Sequence, residues 1–150
     1  MPYQVIYSSA SSTPMQREDL EDILERAQAS NAASGITGAL VYVDECFLQV
    51  LEGSAEAVQT LMAKISTDLR HETVTVLQAQ AVPARCFADW QMAYVSATAA
   101  QVAEWAGLNV RTDLPDTLDR MRVDRERALQ AMDGILAVLK QQRASRTGAG

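Results

Sequence analysis

The order in which strand and helix patterns follow one another is the strongest constraint on the fold of this chain. Strand-like alternation and helix-like stripes of apolar residues succeed one another as strand, helix, strand, strand, helix, strand, strand. This order predicts an α+β, ferredoxin-like βαββαββ mixed sheet with both helices on one face. In such a sheet the first and third strands are neighbours. The predicted segments are residues 3–8, 13–31, 38–43, 46–51, 54–71, 73–82 and 92–96.

Capping patterns delimit the two predicted helices. Thr13 is predicted to be the N-cap of the first helix, with Pro14 at its first position and Gln16 three residues after the cap. This helix is expected to end near Asn31. Ser54 is predicted to cap the second helix, which should close at residues 68–71.

Residues 97–142 predict a C-terminal helical extension. A short helix carries Val102 and Trp105, and a longer apolar stripe runs from Leu118 to Leu139. We expect this stripe to cover the back of the sheet and to act as an interface, either between copies of the chain in a homo-oligomer or with a partner. The tail, residues 143–150, is small, polar and basic, and is expected to be disordered.

Charge and composition argue against several classes of function. The chain has 150 residues and a net charge of −6, and its cations are scattered apart from the tail, so no nucleic-acid partner is expected. No apolar run approaches the roughly 20 residues that span a bilayer, and no basic leader precedes the first strand, so we expect a cytoplasmic protein without a membrane partner. One histidine and two separated cysteines do not predict a metal site.

Gln49 is an uncharged amide in the middle of an apolar strand, residues 47–53. Period-two alternation places it on the same face as Phe47 and Leu51. A buried amide without hydrogen bonds costs roughly 1–3 kcal/mol, so a polar partner is required. Tyr7 lies on the neighbouring first strand and can supply one. Taken alone, the residue is either a satisfied core glutamine or a ligand contact.

Five segments in this order together resemble the BLUF family of flavin-binding blue-light photoreceptors. The resemblance covers residues 3–96 and implies a photosensor domain over that range. The matching segments are Ile6–Ser9, Asn31 with Gly35–Gly38, Phe47–Gly53, Asp68–His71 and Arg85–Met92.

The resemblance implies that FAD, or else FMN or riboflavin, lies between the two helices. It places Gln49 between Tyr7 and the flavin, and it gives Trp90 and Met92 as a pair that shifts on illumination. Ser30 stands where relatives often carry Asn or His. The implied cofactor-binding residues are Ile23, Ser30, Asn31, Phe47, Gln49, Ile65, Asp68, Arg70 and His71.

Within this set the resemblance gives each residue a part. Asn31 would bind the pyrimidine end of the ring, and three apolar side chains would pack on its faces. The charged residues 68–71 would contact the ring edge, the ribityl chain or the phosphate.

The implied function is a light sensor without turnover of its own, in which Tyr7 and Gln49 rearrange their hydrogen bonds and signal to a partner protein. Two alternatives come from other classes. An acylphosphatase-like hydrolase on the same fold would bind an anion at the Gly53–Ser54 turn. A flavin-free dimerisation or regulatory module would use the C-terminal helices and would leave Gln49 without a role.

Overall fold

The computed structural model describes residues 1–11, 15–67 and 71–148. Within them the chain forms one five-stranded sheet with helices on both faces. The elements in chain order are β1 (Tyr3–Ser11), α1 (Arg17–Ser34), β2 (Thr37–Val43), β3 (Cys46–Gly53), α2 (Ala55–Thr67), β4 (His71–Ala81), β5 (Ala93–Ser96), α3 (Ala99–Trp105), α4 (Leu114–Val123) and α5 (Arg125–Gly148).

The strand order is β4-β1-β3-β2-β5, so the ferredoxin-like arrangement is confirmed. The sheet is mixed, because β2 and β5 run parallel while the pairings β1–β3, β1–β4 and β2–β3 are antiparallel. The β2–β3 hairpin closes with Asp44 and Glu45, both at positive φ. At Gly38 on β2 a side chain would overlap the Val50 carbonyl oxygen of β3, so only glycine allows the strands to approach so closely there.

Two apolar cores lie on opposite faces of the sheet. The front core joins α1 and α2 to side chains such as Val5, Phe47 and Leu51. The back core joins the C-terminal helices to the alternate positions of the same strands, for example Leu48 and Val50. The period-two alternation of the strands therefore sorts each residue to its face, as predicted.

The C-terminal stripe covers the back of the sheet, as expected, but it belongs to two helices. The apolar stripe predicts one continuous segment, whereas the chain becomes extended at Asp124, between α4 and α5. Met121 from α4 and Met132 from α5 both reach the back core. The backbone of α5 is helical through Gly148, which differs from the disorder expected for residues 143–150, of which 149 and 150 lie outside the described chain.

The start of α1 corrects the predicted cap. Residues 12–14, including Thr13 and Pro14, lie outside the described chain, and the helix begins only at Arg17. Gln16 is the N-cap, because its backbone N–H donates to the Asp19 side chain at 3.0 Å. At α2 the predicted cap is confirmed, since the Ser54 hydroxyl accepts from the Ala57 N–H at 3.1 Å.

Candidate functional site

Tyr7 and Gln49 are direct cross-strand partners on β1 and β3. The Tyr7 hydroxyl donates to Gln49 Oε1, and both side chains are buried in the front core. The sequence argument required a polar partner for this amide, and the adjacent strand supplies it. The oxygen end of the amide is thereby hydrogen-bonded.

Met92 takes the other end of the same amide. Gln49 Nε2 donates to the Met92 Sδ at 3.4 Å, and Met92 is 3% exposed. A thioether sulfur accepts only weakly and has no proton to donate, so this contact depends on which way the amide points. Three side chains, Tyr7, Gln49 and Met92, are therefore joined by two consecutive hydrogen bonds, with Gln49 in the middle.

Trp90 lies away from these three side chains. Its indole packs against the back core and stands edge-on to Phe87, with ring centroids 6.4 Å apart. Its backbone carbonyl accepts from the Gly38 N–H at 2.9 Å. Of the two residues that the resemblance gives as a shifting pair, Met92 is thus the one beside Gln49.

Asn31 lies in the last turn of α1 and is 1% exposed. Its Nδ2 donates to the Gln91 carbonyl oxygen at 2.8 Å. Its Oδ1 is buried and has no hydrogen-bond partner among the described residues. An unpaired buried oxygen costs free energy, so this atom is suited to accept a hydrogen bond from a ligand.

A cavity of about 240 Å³ opens between α1, α2 and the sheet, beside Asn31 and Gln49. Its walls combine five apolar residues with five polar or charged ones, a mixture that can bind a ring with both apolar faces and a polar edge. The residues that line it are Ile23, Arg26, Ala27, Ser30, Asn31, Leu40, Gln49, Leu61, Lys64 and Ile65.

A second cavity of about 260 Å³ adjoins the first and shares Ser30, Leu61 and Lys64 with it. Ser34, Ser54 and Thr60 add hydroxyl groups to its wall. Together the two cavities form a slot whose inner part is lined by both apolar and polar side chains and whose outer part adds three hydroxyl groups and the Glu56 carboxylate. A flat ring with a polar edge, followed by a polar chain, would find apolar and polar partners in such a slot.

Five of the nine predicted cofactor-binding residues line the inner cavity: Ile23, Ser30, Asn31, Gln49 and Ile65. Phe47 is fully buried in the same core but is not on the cavity wall. Asp68 and Arg70 lie outside the described chain. His71 starts β4 instead of ending α2, and its side chain also lies outside what is described.

Sequence reasoning missed two residues that hold the segment before β5. Gln28 donates from Nε2 to the Met92 carbonyl oxygen at 3.1 Å. The Glu52 carboxylate is fully buried and binds the loop backbone. Glu52 had a signal in the sequence, because alternation places this acid on the same strand face as Leu48 and Val50. Gln28 had none.

Comparison with known families decides the identity of the domain. Residues 3–93 match the family described as "BLUF: Sensors of blue-light using FAD". The chain belongs to the BLUF family. The BLUF match covers the first four strands, α1 and α2, ends at the first residue of β5, and includes Tyr7, Asn31, Gln49 and Met92.

Similar curated proteins are subunits of photoactivated adenylate cyclases. The beta subunit of Euglena longa is 37% identical over 103 residues, which are 68% of this chain and 12% of that protein. The alpha subunit of Euglena gracilis is 45% identical over 71 residues, 47% of this chain and 7% of that protein. The chain therefore corresponds to a small part of each of these relatives.

Two solved structures match nearly the whole chain. The photo-activated state of BlsA has a TM-score of 0.77 at 27% identity and covers 91% of this chain and 95% of that one. The dark state of BlrB, a BLUF protein, has a TM-score of 0.71 at 26% identity, with 91% and 96% covered. These matches extend beyond the sheet into the C-terminal helices.

The family membership confirms the photoreceptor interpretation over the hydrolase and the flavin-free module. The BLUF family binds flavin, and its domains are sensors. None of the helices in the described ranges has the length and apolar character needed to cross a membrane.

Proposed function

We propose that this chain senses blue light by reorienting the Gln49 amide between Tyr7 and Met92, with FAD bound in the slot between α1 and α2. The observation that supports this proposal best is the hydrogen-bonded line of Tyr7, Gln49 and Met92, which borders a cavity where Asn31 offers an unused acceptor. Bound flavin supplies blue-light absorption and a strongly oxidising excited state.

The residues that would hold the flavin follow from the walls of the slot. Asn31 offers Oδ1 as an acceptor for the polar ring edge, while Ile23 and Ile65 offer apolar contacts to the ring faces. Lys64 reaches both cavities and provides a cation for the polar end of the cofactor. We propose FAD in particular because the family description names it. Asp68, Arg70 and His71 are proposed for the same polar end on the family resemblance.

The switch follows from the chemistry of the three side chains. In the structure the Tyr7 hydroxyl donates a hydrogen bond to Gln49 Oε1, and Gln49 Nε2 donates one to the sulfur of Met92. Half a turn of the amide exchanges Oε1 and Nε2, so Nε2 then faces the tyrosine oxygen, which can accept. Oε1 then faces a thioether that has no proton. The Gln49–Met92 hydrogen bond is lost, and Met92 is released from the amide.

Release of Met92 is a small change in free energy with a defined place in the fold. One buried hydrogen bond is worth on the order of 1 kcal/mol, which lies near the range of coupling between sites. Met92 directly precedes β5, the edge strand that pairs with β2. We propose that this strand and the C-terminal helices behind it pass the change to a partner protein, and that the chain has no turnover of its own.

The absorption spectrum of the purified protein tests the proposal. We expect a bound flavin spectrum and, after blue light, a red shift that reverses in the dark. A protein that stays colourless after incubation with FAD would contradict the binding site. A flavin-loaded protein without any light-induced shift would contradict the switch.

A further inference from the structure

We propose that Glu52 is a positioning residue that fixes the loop between β4 and β5 and so sets how quickly the light-induced state relaxes. This inference rests on the proposed light switch. The loop leads from Ala81 to Met92, the residue that receives the hydrogen bond of Gln49. Nothing in the geometry lets Glu52 touch the cofactor cavity, because it points to the opposite face of β3.

The Glu52 carboxylate is 0% exposed and accepts three hydrogen bonds. Its Oε2 accepts from the Cys86 N–H at 2.8 Å and from Gln4 Nε2 at 2.8 Å. Its Oε1 accepts from the Phe87 N–H at 2.7 Å. A buried carboxylate is costly unless it is well paired, so these bonds fix the side chain and the loop backbone to each other.

The far end of the loop is held separately by three backbone contacts. Gln28 and Asn31 on α1 donate to the carbonyl oxygens of Met92 and Gln91 at 3.1 and 2.8 Å. Gly38 on β2 donates to the Trp90 carbonyl oxygen at 2.9 Å. Glu52 holds the middle of the loop, at Cys86 and Phe87, whereas at the start of the loop the Val82 N–H donates to the Pro2 carbonyl oxygen at 2.8 Å.

Phe87 links the Glu52 anchor to the far end of the loop. Its side chain is 0% exposed, and its ring packs edge-on against Trp90. Displacement of Phe87 would therefore change the packing two residues before Met92. A loop that is anchored in its middle and at its far end resists the movement of Met92 that the switch demands, so weakening the middle anchor should speed the return to the dark state.

Replacement of Glu52 by glutamine removes one loop anchor and keeps the shape of the side chain. A glutamine has one oxygen, which can serve the Phe87 N–H, and its NH₂ group then faces the Cys86 N–H without accepting from it. Gln4 can adapt, because its buried Oε1 has no partner among the described residues and can accept from the new NH₂ group after the amide flips. The fold keeps its core and the loop loses one hydrogen bond.

The test compares wild type with Glu52→Gln in two measurements. Hydrogen–deuterium exchange in the dark, with and without FAD, should show protected amides at Cys86 and Phe87 in wild type and loss of protection at Cys86 in the variant. After blue light, the variant should show an unchanged red shift and a dark recovery about fivefold faster, as one weakened hydrogen bond on the barrier predicts.

Gln78→Ala is the matched control. Gln78 donates two hydrogen bonds at 3.1 Å to the carbonyl oxygens of Met121 and Arg122, which belong to α4 and not to the loop. It should lower stability without changing the recovery rate. A second loop variant, Cys86→Pro, removes the same N–H from the other side and should also speed recovery, which keeps the test open if Glu52→Gln folds poorly.

The outcomes separate the inference from the proposed function. If wild type binds no flavin or shows no red shift, the proposed function fails while the exchange measurement still tests the anchor. Recovery at the wild-type rate in both Glu52→Gln and Cys86→Pro overturns the positioning role. Equal acceleration in Gln78→Ala also overturns it, because general destabilisation would then explain the effect.

Discussion

Asn31→Ala is the perturbation whose consequences the structure defines most closely. The side chain is 1% exposed and has two distinct ends. Nδ2 holds the Gln91 carbonyl oxygen at 2.8 Å, and Oδ1 lies buried beside the cavity with no partner in the described residues. Alanine removes both ends at once, so the effects on the protein alone and on flavin binding can be estimated separately.

For the flavin-free protein the two losses nearly cancel. Removing the bond to Gln91 costs about 1 kcal/mol, whereas removing an unpaired buried oxygen recovers a comparable desolvation penalty. We therefore expect the free energy of unfolding of the flavin-free protein to change by no more than about 1 kcal/mol. In the flavin complex of the variant, the polar edge of the ring loses the hydrogen bond that Asn31 Oδ1 would accept. That loss of roughly 1–3 kcal/mol corresponds to a roughly fivefold to hundredfold weaker Kd.

The assay is equilibrium titration of flavin-free protein with FAD, followed by flavin fluorescence, alongside thermal unfolding with and without FAD. Gln28→Ala is the matched control. It also removes an α1 amide that holds the loop, through the Met92 carbonyl oxygen, but Gln28 does not line the inner cavity. The control should therefore leave Kd close to the wild-type value.

Two results would refute this reasoning. A wild-type Kd in Asn31→Ala would show that the unpaired oxygen does not face the ligand. An equal loss of affinity in Gln28→Ala would show that loop anchoring, rather than direct contact, governs binding.

Three further predictions concern the switch, a thiol and the C-terminal helices. Gln49→Leu and Tyr7→Phe should both bind flavin yet show no red shift after blue light, because one removes the amide that reorients and the other removes the hydroxyl that is its partner. A normal reversible shift in either variant would exclude these roles. Burial, together with the nearby Asp44 and Glu45 carboxylates, raises the pKa of the Cys46 thiol. Its alkylation at pH 8 should therefore be slower than that of a free cysteine and should accelerate as pH rises. Equal alkylation rates at pH 8 would contradict this. Truncation after Ser96 uncovers the back core and should give an aggregated or unfolded protein, whereas a soluble, monomeric and photoactive product would show that the helices are dispensable.

The site is predictable from sequence where it depends on local periodicity. Alternation along a strand has a period of two, so the residue pattern alone sorts the neighbours of Gln49 to the correct face. The strand and helix order then places β1 next to β3, which brings Tyr7 opposite Gln49. The family resemblance supplies the cofactor, which no periodicity can identify.

The placement of Met92 and Trp90 was decided by tertiary structure alone. In an extended strand, residues 90 and 92 would point to the same face. Instead Met92 joins the front core and Trp90 joins the back core. The reason is that the backbone between residues 82 and 92 is irregular and is held by contacts from β2, β3 and α1. The break at Asp124 is similar, since an apolar stripe shows which residues are buried but not where the helix axis changes. The sequence by itself determined which residues share a strand face and in what order the elements follow. Long-range hydrogen bonds, which no local pattern encodes, decided how the loop presents Met92 to Gln49.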